Sequence, residues 1–392
     1  WYQVNDDTDP INIFTRINMG KIPLTNSELI KALFLRSDNF PNEKDKIRPK
    51  QLEIASEWDR IEYTLQNEEF WYFLTNDNKM PDTRIELILV LLADEINNRL
   101  DESRRIIKIR NDYYSFMVFN QYFAEKKKIK ASNIVIEEIW QEINDYFLTF
   151  EEWFNDWKLY HFIGYLIAIG KRIEDFKKHS SSMKKSEFKT YIVSEITNHV
   201  ECDIQELKYG YNNAKIKDIL LLFNIETLLS NNHSNTRFPF NRFKIEDWDI
   251  EHIHSVESEM PYTKNHQIEW LKEVLNNIDL LKKARKNTKD KSEIDKIKKE
   301  INRFINDDKI DNNFFETLYP EILKLYSEKK NHEDVNDMSN LTLLDSGTNR
   351  GYKNAVFPIK RRIIIQKDQS GTFIPLCTKN VFLKYYSGDI DQ

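Results

Sequence analysis

A mainly α fold (α+β in class) is predicted by this sequence, on three observations. Glycine and proline are scarce, 8 and 10 among 392 residues, whereas Leu, Ile, Lys, Glu and Asn abound, a balance that favours helices over sandwiches and barrels. Apolar side chains recur three or four residues apart through the stretch from 50 to 230, the period of a helix face. Hydrophobic residues make up 40% of the chain and aromatic ones 13%, enough to bury the cores of two or three domains and too much for a disordered chain.

In chain order, Ile11 to Asn18 is β-like or turns over from a short helix, and Gly20 breaks it. Thr25-Asn26-Ser27-Glu28 reads as a capping box in which Thr25 caps and Glu28 reaches back, so a helix over Leu29 to Leu35 follows. The polar run Ser37 to Pro49, with Pro41 and Pro49, predicts a loop. Arg84 to Leu100, Asn133 to Leu148 and Lys215 to Leu229 predict helices, with breaks at Asn76–Asp82 and His179–Ser186. In the second of these helices Ile136, Ile139, Trp140, Ile143 and Phe147 share one face. The aromatic-rich run Phe150 to Tyr165 fits core better than a base-stacking surface.

Asn231 to Phe243 predicts a polar linker, and Trp248 to Ser255 is short and strand-like. Ile268 to Asn306 is a long charged helical stretch with Ile294, Ile297, Ile301 and Phe304 at coiled-coil-like spacing. Its Lys282–Lys299 charge run mixes in Asp and Glu, which suits a solvated helical hairpin better than a DNA-binding arm. Leu341 to Leu344 then leads to a turn at Ser346-Gly347 and a basic segment ending Lys360-Arg361-Arg362.

Several classes are disfavoured at this level. The net charge of −6 makes the whole molecule a poor polyanion binder, so any phosphate contact needs a local basic patch. Cys202 and Cys377 are the only cysteines, too few for a zinc knuckle or a disulfide framework, which fits a cytoplasmic protein. Leu159 to Ile169, the most apolar stretch, is about half a bilayer span and predicts a buried helix rather than a membrane anchor. Trp1 to Pro10 begins in mid-pattern, which predicts a piece of a longer protein.

Chemistry concentrates at Glu251-His252-Ile253-His254. Neighbours in a strand point to opposite faces, so the carboxylate and the imidazole cooperate only where the backbone bends. His252 and His254 share a face, as zinc ligands would, but no third His or Cys stands nearby at a matching spacing. A neutral imidazole takes a proton from water near pH 7, which makes His252 a general-base candidate. Lys353, Lys360 and Arg361 belong to a basic segment that also reads as a solvated helix.

The order acidic-His-Ile, then Asn340-Leu341-Thr342-Leu343-Leu344, then Asn349-Arg350-Gly351-x-Lys353-Asn354-x-x-Phe357-x-x-Lys360-Arg361 resembles the HNH nuclease fold. In particular it resembles the C-terminal domain of GmrSD-like modification-dependent (type IV) restriction endonucleases. The Asn-Arg-Gly stretch is also similar to the HNH domain of RNA-guided nucleases. Ile13 to Leu29, with Arg16 and Asn18, resembles the back half of the ParB/sulfiredoxin-like N-terminal domain of the same enzymes, and Phe373 to Asn380 is also family-like. The sequence departs from the family pattern in three places. Glu251 stands where many HNH nucleases have Asp, Ile253 is followed by His254 and Ser255 without the family's proline, and about ninety residues separate His252 from Asn340, far more than in minimal HNH domains. The family's nucleotide-sensing DGQQR-type motif is absent from the sequence.

The resemblance implies a helical scaffold with a C-terminal ββα-metal HNH nuclease domain. Residues 1–40 would be the remnant of the sensor domain, 41–240 the scaffold, and 241–392 the nuclease domain with a helical insertion at about 264–330. It implies His252, Glu251 and Asn349 as catalytic residues, Glu251 and Asn349 as metal ligands for Mg²⁺ or Mn²⁺, and Asn340 and Asn354 as supporting residues. Lys353, Lys360 and Arg361 would hold phosphates, and Arg16 and Asn18 would belong to the sensor motif. The implied activity is restriction of modified phage DNA by a cytoplasmic endonuclease. A homodimer is compatible with it, no membrane partner is expected, and any nucleotide cofactor (an NTP) would act through an N-terminal part not in this sequence. Two alternatives remain: an inactive HNH-like nucleic-acid-binding or regulatory protein, and a nuclease effector directed at RNA.

Overall fold

The computed structural model describes residues 24–40, 47–77, 81–110, 112–231, 235–253, 261, 263–284, 288–307, 312–326, 336–348 and 357–383. It is mainly α, with one small two-stranded sheet among the described residues. The chain forms two compact units, residues 1–192 and 193–392. No helix among the described residues is long and apolar enough to cross a membrane.

The first unit contains α1 (Asn26–Phe34), α2 (Ile47–Leu65), α3 (Glu68–Leu74), α4 (Glu86–Arg99), α5 (Tyr114–Lys126), α6 (Ser132–Asn155), α7 (Trp157–Ala168) and α8 (Ile173–Ser180). The capping box is formed: Thr25 N–H donates to Glu28 Oε2 at 2.8 Å, while Glu28 N–H donates to Thr25 Oγ1. Helix α2 starts inside the expected loop. Pro49 falls in its first turn, where a helix needs no N–H from it. Helix α6 is the centre of the unit and packs against α3, α4, α5 and α7. All five residues of its expected face are buried, and Tyr146, Phe150 and Trp153 continue that face to Asn155, beyond the expected end at Leu148. Helix α7 is the apolar stretch, twelve residues long and buried over most of its surface.

One carboxyl in this unit has a measurable consequence. Ser115 Oγ donates to Glu86 Oε1 at 2.6 Å, while Glu86 Oε2 is buried without a hydrogen-bond partner. Burial pushes this carboxyl up to about 7. As pH rises from the unfolded value of 4.5 towards 7, the unfolded chain ionises first and stability falls, and above 7 the loss is complete. Glu86→Gln, a neutral isostere, should therefore be more stable than wild type by about 3 kcal/mol at pH 8 and nearly indistinguishable at pH 4.5. Thermal denaturation at both values checks this; an equal difference at the two pH values would refute it.

Helix α9 (Lys185–Val200) carries the division between the units. The second unit then runs α10 (Asn213–Leu229), α11 (Phe240–Ile245), β1 (Trp248–His252), α12 (Lys264–Ala284), α13 (Thr288–Asn306), α14 (Asn312–Tyr326), β2 (Leu341–Asp345), α15 (Phe357–Gln369) and α16 (Leu376–Leu383). The unit division differs from the expected domain limits because α10, counted with the scaffold in the sequence, packs on β1, β2 and α16. Its buried Asn224 accepts a hydrogen bond from Cys377 N–H at 2.9 Å.

The expected linker 231–243 is not a plain linker either. Phe238, Phe240 and Phe243 are buried, and Phe238 and Phe243 set their edges against the fully buried Trp248. The polar letters around them concealed an aromatic cluster. The charged stretch after β1 forms two helices, α12 and α13, that run antiparallel. Lys298 pairs with Asp279 and Lys282 with Asp295, each at 2.6 Å, while Leu271, Val274, Ile278, Ile294, Ile297, Ile301 and Phe304 are buried between them and α14. That core continues to Leu344 of β2, Ile364 of α15 and Phe382 of α16.

Candidate active site

Strand β1 pairs antiparallel with β2, with Glu251 opposite Thr342 and His252 opposite Leu341. Asp247, at φ 48°, turns the chain into β1, and its carbonyl accepts from Ser346 N–H at the far end of the ribbon. Beyond His252 the ladder gains one more rung, Ile253 N–H to Asn340 C=O at 2.8 Å. Asn340 thus meets the strand through its backbone, at the end of a short 3₁₀ turn, Met338–Asn340.

Strand alternation puts Glu251 and His252 on opposite faces of this ribbon. On the Glu251 face, Thr342 Oγ1 lies 2.6 Å from Thr378 Oγ1 of α16, both buried. There Glu251 forms an ion pair with Lys360 of α15, with the two residues only 6% and 2% exposed. Lys360 Nζ also donates to the backbone carbonyl of His252 at 2.8 Å. Burial pushes the Glu251 carboxyl up and the Lys360 ammonium down, and the attraction between them opposes both shifts. Lys360 is therefore neither an exposed phosphate contact nor part of a solvated basic face.

On the other face the His252 imidazole is half-buried, with the Tyr209 ring edge-on at 4.5 Å between centroids. Its Nε2 lies 3.3 Å from Asn336 Oδ1. Nε2–H donates to that oxygen, which leaves Nδ1 as the basic nitrogen of the ring. Burial lowers the pKa of this imidazole; the Asn336 hydrogen bond opposes that shift and the Lys360 charge adds to it. The net direction keeps His252 neutral at neutral pH, the state a proton acceptor requires. Tyr209 and Asn336 are brought here by a small bridge, in which Tyr209 N–H donates to Asn336 C=O at 2.9 Å and Lys208 pairs with Asp337. Burial, with Asp249 and Glu251 nearby, pushes the Tyr209 phenol up.

Arg361 donates through Nε to the Phe382 carbonyl at 2.9 Å, at the end of α16, so this guanidinium already has a partner within the unit. Asn349, Lys353, Asn354, His254, Arg16 and Asn18 lie outside the described residues. So does the segment Ile11 to Asn18.

The donor set argues against a divalent ion on Glu251. Its carboxylate is buried and paired with an ammonium, and a second cation there would face that charge at close range. Among the described residues no group of three His, Cys, Asp or Glu side chains could hold a metal ion. No protein-family model, curated protein or solved structure matches this chain.

Proposed function

We propose that the second unit is a nuclease module of the HNH type that hydrolyses phosphodiester bonds in DNA, with His252 as general base, and that it serves in restriction of modified phage DNA. The observation that carries this reading is the setting of His252. A neutral imidazole stands at the end of an antiparallel two-stranded ribbon, with its Nε2 held by Asn336 and a helix tied to its strand from the opposite face. The order of strand, strand and helix is that of a ββα unit, with α12 to α14 inserted between the strands. The restriction role and the modified-DNA substrate come from the motif resemblance alone.

In this reading His252 Nδ1 takes a proton from a water as its oxygen bonds to phosphorus, and the bond from phosphorus to the leaving oxygen breaks. Asn336 holds the tautomer through the step, and Tyr209 walls one side of the ring. Mg²⁺ or Mn²⁺ belongs to the reading through the resemblance, and in this structure the Glu251 carboxylate is paired with Lys360. The buried ion pair also favours a second reading, an HNH-like nucleic-acid-binding or regulatory protein without turnover, because a lysine ammonium occupies the carboxylate of an expected metal ligand.

Plasmid cleavage decides between them. The 392-residue chain, incubated with Mg²⁺ or Mn²⁺, is expected to nick or linearise glucosylated hydroxymethylcytosine DNA in preference to unmodified DNA. Preferred cutting of RNA would move the substrate to that class. Binding of DNA with no cleavage of either nucleic acid would favour the second reading.

A further inference from the structure

A lysine at 2% exposure needs an anionic partner, and Lys360 has one in Glu251. Its second acceptor, the carbonyl of His252, comes from the very next residue of β1. One ammonium therefore sits where two oxygens from consecutive residues converge, a pair that a hard divalent ion would also favour. Lys360 lies in the first turn of α15, so the contact ties that helix to the end of the strand carrying the imidazole. His252 is thus held at two points. Its backbone is held by Lys360 from one face of the ribbon, and its ring by Asn336 on the other.

We propose that Lys360 is the resident cation of this site: with Glu251 as its counter-ion it pins the His252 carbonyl, which makes Lys360 and Glu251 positioning residues for the imidazole and removes Glu251 from the metal ligands. The positioning role rests on the reading of His252 as the base, whereas the ion-pair role does not. Fixing this carbonyl sets the peptide plane from which the His252 side chain leaves the strand. A shift of about 1 Å in a reacting group is enough to slow a reaction on the order of a hundredfold.

The test compares wild type with Glu251→Gln, Lys360→Met and the double variant. Either single change leaves a lone buried charge and should lower Tm by about 5–10 °C, whereas the double variant should recover most of that loss. Mn²⁺ binding, read by electron paramagnetic resonance, should be the same in wild type and Glu251→Gln, whether it is measurable in both or in neither. The double variant, folded, should cleave DNA with kcat lowered about tenfold or more and KM within about twofold of wild type. A loss of Mn²⁺ affinity of about tenfold or more in Glu251→Gln would overturn the proposal, because it would restore Glu251 as a ligand. An unchanged kcat in the double variant would overturn the positioning role. If wild type cuts no nucleic acid, the nuclease reading fails by itself, and the thermal and Mn²⁺ arms still decide what the pair does.

Discussion

Replacing His252 with alanine is expected to slow DNA cleavage by about 10²–10⁴-fold, the range that a positioned general base contributes. The fold should survive, because the ring is half-buried and its described contacts are Tyr209 and Asn336, both reached through the Lys208–Asp337 bridge rather than through the core. KM should stay close to wild type, since proton transfer strengthens only in the transition state. Single-turnover cleavage of supercoiled plasmid, beside circular dichroism of both proteins, measures the two quantities. A folded His252→Ala protein that keeps more than about a tenth of the rate would take the imidazole out of the reaction.

The largest stability loss is expected at Trp248, one residue after the turn into β1. This side chain is fully buried, stacks on Phe373 at 5.3 Å, and meets the edges of Phe238 and Phe243. Its indole N–H donates to Glu246 at 3.1 Å. Trp248→Ala empties the middle of this cluster, and burial losses of that kind amount to about 3–5 kcal/mol. Denaturant unfolding read by the fluorescence of the remaining tryptophans measures the change. A loss under about 1 kcal/mol would mean that the cluster repacks around the gap and does not hold the strand. Because β1 carries Glu251 and His252, the same substitution should also weaken any activity, whereas Glu86→Gln in the first unit should not.

How much of this could be read in the letters depended on sequence distance. The capping box at Thr25 and the buried face of α6 are local patterns, in which three- and four-residue spacings fix which side chains meet, and both stand as expected. The aromatic cluster was hidden because FPFNRF has the proline and polar residues of a linker, and only the buried Trp248 gives its phenylalanines a purpose. Lys360 was misplaced for the same reason. It lies in a basic run, and nothing near it in sequence announces a carboxylate 109 residues away. Asn336 and Tyr209 were missed altogether. Neither belongs to the motif, although an amide within a few residues of Asn340 was a signal of sorts. The alternation of Glu251 and His252 was foreseeable from strand geometry, yet the bend that would have let them converge is absent at the described end of β1.

The register of the ribbon also sets an order on how this unit is assembled. His252 and Leu341 pair across about ninety residues, a separation that makes direct closure entropically expensive. The intervening helices have their own buried seam, from Trp270 through Ile322, and their cross-helix lysine–aspartate pairs lie within twenty residues of each other. Helical hairpins of such local contacts form quickly, and each one shortens the effective span still to be closed. The imidazole is therefore expected to meet its partners after the insertion condenses, an order that φ-values lower at the ribbon than in the insertion would bear out.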